Sequence, residues 1–374
     1  MTKSPQRVLV MPDKFKGTLT SDQAARAIVR GLRRAWPEAR FTRRTLADGG
    51  EGFAQALITA TAGKARRCAS VDAVGEPCRA AWGLLGDGRS AVFDLAAASG
   101  LAQLASSSRD PRRTSTFGSG IVLRKAIAAG ANAIFVGLGG SATNDGGIGL
   151  AAALGWKFLD RHGGEIAATG AGLLRLERVV APKHRSPARI VAACDVDNPL
   201  FGRNGAAYRF APQKGADAEV VRELDRGLRR LARIVERDLG KDLAHIPGAG
   251  AAGGCGFGLM AFFDARLESG FEILRREMRL DALLREHDLL VTGEGAFDIT
   301  SLAGKAPYRL AQLARKRRVP AWGIFGRINV APTQLPFART AALSAHDDPN
   351  FASIPVAEHA RRLEDAVRRL AAND

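Results

Sequence analysis

The chain has 374 residues, 46% hydrophobic and 25% charged, with 55 Lys and Arg against 38 Asp and Glu for a formal charge of +17. That length suits two or three domains with their own cores, and the composition excludes a disordered chain, a collagen and a disulfide-stapled scaffold. Two values are unusual: 42 glycines and an isoelectric point near 10.6. The basic residues recur in short pieces such as Arg33-Arg34, Arg229-Arg230 and Arg361-Arg362. Solvated helix faces produce that pattern, whereas a nucleic-acid footprint needs a cluster, so no nucleic-acid partner is expected.

In chain order, residues 7–11 read as an apolar strand, and Thr20-x-x-Gln23 is a capping box for an amphipathic helix ending before Pro37. A strand (41–46) and a helix (51–62) follow, which opens an α/β pattern. Segments 67–71 and 78–85 flank Gly75 like a hairpin, followed by strand 91–95, helix 119–129, strand 133–136, strand 189–193 and a long charged helix 218–239. The alternation resumes with strand 288–291, helix 306–316, strands 320–325 and 340–344, and a terminal helix 356–371. The layout predicts one α/β domain formed by both chain ends, 1–64 and 285–374, with 65–284 inserted as a second. The uncharged stretch 246–263 is broken by glycines and Pro247, so it reads as a loop feeding a packed helix and no membrane span is expected. Residues 8–11 are too short for a signal core. Cys68, Cys78, Cys194 and Cys255 lack Cys-x-x-Cys spacing, so reduced thiols of a cytoplasmic protein are expected.

The glycines concentrate in loops with carboxylates or hydroxyls: Asp48-Gly49-Gly50-Glu51-Gly52, 137–147, 248–254 and Gly293-Glu294-Gly295. Glycine lets several backbone N–H groups point at one anion, so such loops after strands suggest a polyphosphate ligand. The 137–147 loop follows a buried strand and offers Ser141, Thr143 and Asn144 as donors; a tight packing turn is its structural alternative. It lacks the third glycine of a Rossmann fingerprint, and Gly304-Lys305 has no Walker A context. Asp195 and Asp197 stand at the end of a predicted strand, where a carboxylate can hold Mg²⁺ or take a proton; an Asx turn before Pro199 is the alternative. Glu294 and Asp298, with Lys305 nearby, form a second acidic pair, with helix capping as the alternative. Lysines are scarce, so those in glycine-rich motifs, Lys14, Lys16, Lys214 and Lys305, stand out. Lys14 and Lys16 suit an anionic substrate, or a solvated turn. Together these features point to phosphoryl transfer by an ATP-dependent small-molecule kinase.

At these residues the chain resembles the type I glycerate kinase family. The matching segments are Met11 to Thr20, Leu46 to Gly52, the 137–149 loop, Cys194 to Leu200 with Gly205, Ala211-Pro212-Gln213-Lys214-Gly215, Pro247 to Gly254, and Gly293-Glu294-Gly295 with Asp298, Gly304, Lys305 and Pro307. The resemblance implies a cytoplasmic enzyme that uses Mg²⁺ and ATP to convert D-glycerate to 2-phosphoglycerate. The 3-phosphate product, or a related hydroxy acid as substrate, stays open, as does a homodimer. It also implies a flavodoxin-like parallel-sheet domain from both chain ends and an inserted mixed α/β domain of restriction-endonuclease-like type. Carried onto this chain, Asp195 and Lys14 are the catalytic candidates, and Lys16, Asp48, Gly49, Gly50 and Glu51 face the substrate. Gly139, Gly140, Ser141, Thr143, Asn144, Gly250, Gly253, Gly254 and Lys305 would bind nucleotide, and Asp197, Glu294 and Asp298 the metal. The chain departs from the family pattern at Ala296, where Arg is usual, and at Ile299-Thr300 in place of Gly-Gln. Arg327 is the candidate to replace the lost cation.

Overall fold

A computed structural model describes residues 4–15, 17–47, 49–50, 52–344 and 354–372. Its strands are β1 (Arg7–Val10), β2 (Arg40–Arg43), β3 (Lys64–Val71), β4 (Pro77–Leu84), β5 (Ser90–Asp94), β6 (Ala133–Gly137), β7 (Lys157–Leu159), β8 (Arg178–Val180), β9 (Arg189–Ala193), β10 (Arg266–Glu268), β11 (Leu289–Phe297), β12 (Ala321–Ile328) and β13 (Arg339–Ala342). The chain divides into two compact units, Met1–Asp48 with Leu274–Asp374, and Gly49–Ile273.

The first unit is a parallel sheet in the order β2-β1-β11-β12-β13. Counting only that unit's strands the order is 2-1-3-4-5, the doubly wound flavodoxin-like arrangement, whose ligands bind beyond the strand carboxyl ends at the switch point between the first and third strands. The helix Ser21–Ala35 starts at the predicted capping box: Thr20 Oγ1 accepts from Gln23 N at 3.2 Å and Gln23 Oε1 accepts from Thr20 N at 2.9 Å. Its apolar stripe, Ala24, Ile28 and Leu32, is buried with Val8, Val10, Trp322 and the Leu363 and Val367 side chains of the helix Val356–Ala372. β11 runs well past the predicted end at residue 291. It pairs with β12 from Leu290↔Ala321 to Phe297↔Ile328, so Gly293-Glu294-Gly295 is strand and not the loop its composition suggested. The reason is a close approach: a Cβ on Gly293 would lie 1.7 Å from Ile324 O.

The second unit holds a six-stranded sheet in the order β3-β4-β5-β6-β9-β10. β5, β6, β9 and β10 are parallel, and the predicted hairpin appears as antiparallel β3 and β4. Phe93, Ile134, Val136, Leu123 and Leu259 form the core against this sheet. A second core surrounds the helix Ala218–Leu239, whose Leu224, Leu228, Leu231 and Val235 pack with Phe257, Phe262 and the β7–β8 hairpin residues Phe158 and Val179. That helix has the predicted bounds because both ends are locally encoded. Asp217 accepts from Glu219 N and Val220 N at 2.9 Å, and Gly240 closes it at φ 66°. All four cysteines are free thiols. Among the described residues no helix is long and apolar enough to cross a membrane.

Candidate active site

In the second unit, strands β5, β6 and β9 end in register, Asp94 beside Gly137 and Gly137 beside Ala193. Asp94 accepts from Gly52 N and Ala54 N, each at 3.0 Å, and so caps the helix Phe53–Ala60, whose own cap residue is a glycine. The segment Gly49-Gly50 lies over these strand ends. Gly139 N donates to Gly49 O at 3.2 Å, and a Cβ on Gly139 would sit 2.4 Å from Gly50 Cα, so only glycine permits this approach. Asp195, exposed just beyond β9, comes near Gly49 from the other side. Its carboxylate accepts from Ser269 Oγ at 2.7 Å and Gly270 N at 3.1 Å, at the start of the helix Gly270–Glu277. These bonds help orient the carboxylate.

The 139–147 loop is built from beneath. Gly140 O accepts from Leu101 N and Ala142 N donates to Ser99 O, both at 2.8 Å. Lys214 is 2% exposed, and its Nζ donates to Thr143 O at 2.6 Å and to Ser141 Oγ at 3.1 Å. Asp145, fully buried, accepts from Thr116 N and Oγ1 at 2.8 Å, Gly147 N at 3.1 Å and Gly149 N at 3.2 Å, joining the starts of the helices Phe117–Ala128 and Ile148–Ala152. Burial pushes the Lys214 ammonium down to about 8, against the opposing pull of Asp145 and Cys255. Burial likewise pushes the Asp145 carboxyl up, opposed by its Thr116, Gly147 and Gly149 donors, and raises the Cys255 thiol. Thr143 Oγ1 and both amide atoms of Asn144 are buried without a hydrogen-bond partner among the described residues. Gly250, Gly253 and Gly254 are buried and face their own chain. Ala252, Gly253 and Gly254 turn left-handed at φ 53°, 67° and 88°, and a Cβ on Gly253 would lie 1.9 Å from Thr143 O. These glycines brace the 143–146 stretch, with Gly146 N donating to Gly253 O at 3.0 Å.

In the first unit the switch point lies between β1 and β11. Beyond β1, Met11 N donates to Val291 O at 2.9 Å and Asp13 N to Gly293 O at 2.8 Å, which carries the exposed Lys14 along the end of β11. Glu294, buried on β11, accepts from Lys305 Nζ at 3.3 Å through Oε2, and Asp298 lies 3.8 Å from the same ammonium. Glu294 Oε1 is buried with no hydrogen-bond partner among the described residues. Burial pushes the Glu294 carboxyl above its ordinary range, and Lys305 opposes this. Asp298 caps the short helix Ile299–Leu302, accepting from Thr300 N at 2.8 Å and Ser301 N at 3.2 Å. Burial raises its carboxyl, but the Thr300 and Ser301 bonds and the Lys305 charge outweigh that and hold it low. Ala296 pairs in register with Arg327 on β12, so the two side chains leave the same face of the sheet.

Each unit therefore gathers part of the predicted set. The second brings Gly49, Gly50, Gly139 and Asp195 together, with Asp197 exposed two residues further on; the first brings Glu294, Asp298 and Lys305 together. Lys16, Asp48 and Glu51 lie outside the described residues. Among the described residues no group of three or more His, Cys, Asp or Glu is placed to hold a metal ion. The residues that sequence reasoning left without a role are Asp94, Asp145, Ser269 and Lys214. Of these Lys214 carried a signal, as a scarce lysine beside a glycine, and Asp145 did so as the carboxylate of the 137–147 loop.

The sequence profile described as the glycerate kinase family matches residues 8–373. The chain is 41% identical over 326 residues to the glycerate 2-kinase of Escherichia coli K12, covering 86% of this chain and 85% of that one. It is 42% identical over 325 residues to a glycerate kinase of Halalkalibacterium halodurans, with the same 86% and 85% coverage. Its fold is similar to a crystal structure from Salmonella typhimurium LT2 described as a candidate glycerate kinase 2, with a TM-score of 0.86, 37% identity and 99% and 98% of the two chains covered.

Proposed function

The chain belongs to the glycerate kinase family, and we propose that it transfers the γ-phosphoryl group of ATP to D-glycerate, giving 2-phosphoglycerate. The observation that carries this reading is the meeting of Gly49, Gly139 and Asp195 at the carboxyl ends of parallel strands. An exposed carboxylate and a glycine-built backbone cradle there suit a hydroxyl nucleophile and an anion. Within the second unit, Asp195 accepts the proton of the attacking glycerate hydroxyl. The backbone of Gly139 and Gly140 and the hydroxyl of Ser141 receive phosphate oxygens, while Gly250, Gly253 and Gly254 support that loop through packing.

Within the first unit, Lys14 and Lys305 supply cations for anionic groups of a ligand. Glu294 and Asp298 are oxygen donors of the kind Mg²⁺ takes beside nucleotide phosphates, and Glu294 Oε1, buried without a hydrogen-bond partner among the described residues, fits that demand. When bound there with ATP, Mg²⁺ would neutralise charge on the phosphates. Arg327, level with Ala296, presents a cation on the face the family usually serves from residue 296.

The test is a coupled ADP-release assay with Mg·ATP and a panel of small hydroxy acids, with the product resolved by NMR. D-Glycerate is expected as the preferred acceptor with phosphate on its 2-hydroxyl. Absence of glycerate-dependent ADP release would remove the activity, and a 3-phosphate product would correct the regiochemistry alone.

A further inference from the structure

Lys214 has no part in the roles above, yet its placement is costly. An ammonium group removed from water is tolerated only where hydrogen bonds and an opposite charge compensate it, and Met or Leu would fill the same volume without that demand. The surroundings of Lys214 are specialised to hold it. It ends the one-turn helix Pro212–Lys214, and the next residue, Gly215, is at φ 97°, where a Cβ would meet Arg109 O at 2.3 Å. Its ammonium reaches a stretch about seventy residues away in sequence, bonding Ser141 Oγ and Thr143 O. Thr143 O is hemmed in on another side by the left-handed turn at Gly253. Asp145 supplies the opposite charge but is committed to its four donors from Thr116, Gly147 and Gly149.

We propose that Lys214 is a positioning residue for phosphate binding: from beneath the loop it fixes the 141–143 backbone and turns the Ser141 hydroxyl proton towards the nucleotide. The chemistry of the hydroxyl carries this. A serine oxygen that accepts from an ammonium group keeps its only proton for another acceptor, and the neighbouring positive charge makes it a stronger donor. Ser141 is 6% exposed, next to the exposed Gly140, so it stands at the rim of the loop, whereas Thr143 and Asn144 are completely buried. The inference rests on the reading of this loop as a phosphate cradle.

The experiment measures Mg·ATP binding by calorimetry, with steady-state kinetics, for wild type, Lys214→Met, Ser141→Ala and the double variant. Each single variant is expected to weaken nucleotide affinity tenfold or more and to leave the KM for glycerate within twofold. The double variant should be no weaker than Lys214→Met, because both changes remove one coupled device. Nucleotide affinity unchanged in Lys214→Met, or losses that multiply in the double variant, would overturn the proposal.

If Lys214→Met does not fold, wild type and Ser141→Ala decide through pH. The titratable groups facing Lys214 are Asp145 and Cys255. Burial holds the ammonium pKa at about 8, so wild-type affinity should fall as pH rises through that value, and Ser141→Ala should lack this limb. A flat wild-type profile from about pH 7 to 9.5 would overturn the proposal. Wild-type protein that binds no Mg·ATP would instead sink the reading of the loop on which the inference rests.

Discussion

Lys214 in the second unit feels the charge of Asp145 without bonding it, whereas Lys305 in the first pairs directly with Glu294, and the two stand in opposite surroundings. Lys214 is 2% exposed and bonded to a serine hydroxyl and a carbonyl; the Lys305 side chain is 32% exposed and shared between Glu294 and Asp298. A buried ion loses its hydration and keeps its partners, because leaving them has no compensation. A half-exposed ion exchanges partners with water and ligand at little cost. Lys214 therefore serves the fold of its loop, while Lys305 stays open to solvent.

The largest effect is expected at the exposed carboxylate of the second unit. Asp195→Asn should lower kcat by about 10²–10⁴-fold with the unfolding midpoint nearly unchanged; near-normal turnover would remove it as the general base. Asp145→Ala should act in the opposite sense. It orphans the donors of Thr116, Gly147 and Gly149 and leaves Lys214 without its counter-charge, so unfolding free energy should drop by about 3–5 kcal/mol in urea titrations. A loss under about 1 kcal/mol would put the buried Asp145 network on a level with surface ion pairs.

Lys305→Met comes next, with kcat lowered by about 10²–10³-fold, the range for losing one charge-stabilising donor. This variant also has a pH signature. Glu294 already has a folded pKa above its ordinary 4.5, and Lys305 is what restrains it. Removing the cation raises it further, so the folded state binds a proton more readily than the unfolded chain. The variant's stability deficit relative to wild type should therefore be present at neutral pH and shrink as pH falls through the raised folded pKa towards 4.5. A pH-independent deficit would contradict that coupling. The smallest effect belongs to Thr20→Ala, which removes one side-chain cap and should cost about 1 kcal/mol with no change in either KM.

The elements that sequence reading placed best are those whose ends are encoded locally. The helix Ala218–Leu239 lies between Asp217 and Gly240, and Ala306–Lys316 has Pro307 in its first turn. β11 was cut short because Gly293-Glu294-Gly295 has the composition of a loop; its extended state comes from pairing with β12, more than twenty residues later. The β7–β8 hairpin escaped notice because its strands are three residues long. At the candidate site, Asp298 had been open between capping and ligand binding, and the structure shows that it caps a helix while lying beside Lys305. Asp94 caps a helix some forty residues earlier in the chain, which no local motif announces.

What the sequence determined by itself was the α/β alternation, the caps and the ordered glycine-rich segments that mark the family, because each rests on residues within one or two turns of one another. What only the tertiary structure decided was the assignment of those glycines and charges: Gly139 to the strand-end cradle, Gly253 to packing against Thr143, Lys305 to a rim and Lys214 to the interior. Desolvation and close backbone approach depend on what the fold brings alongside a residue. For Lys214 those neighbours, Ser141, Thr143 and Asp145, come from a distant part of the chain.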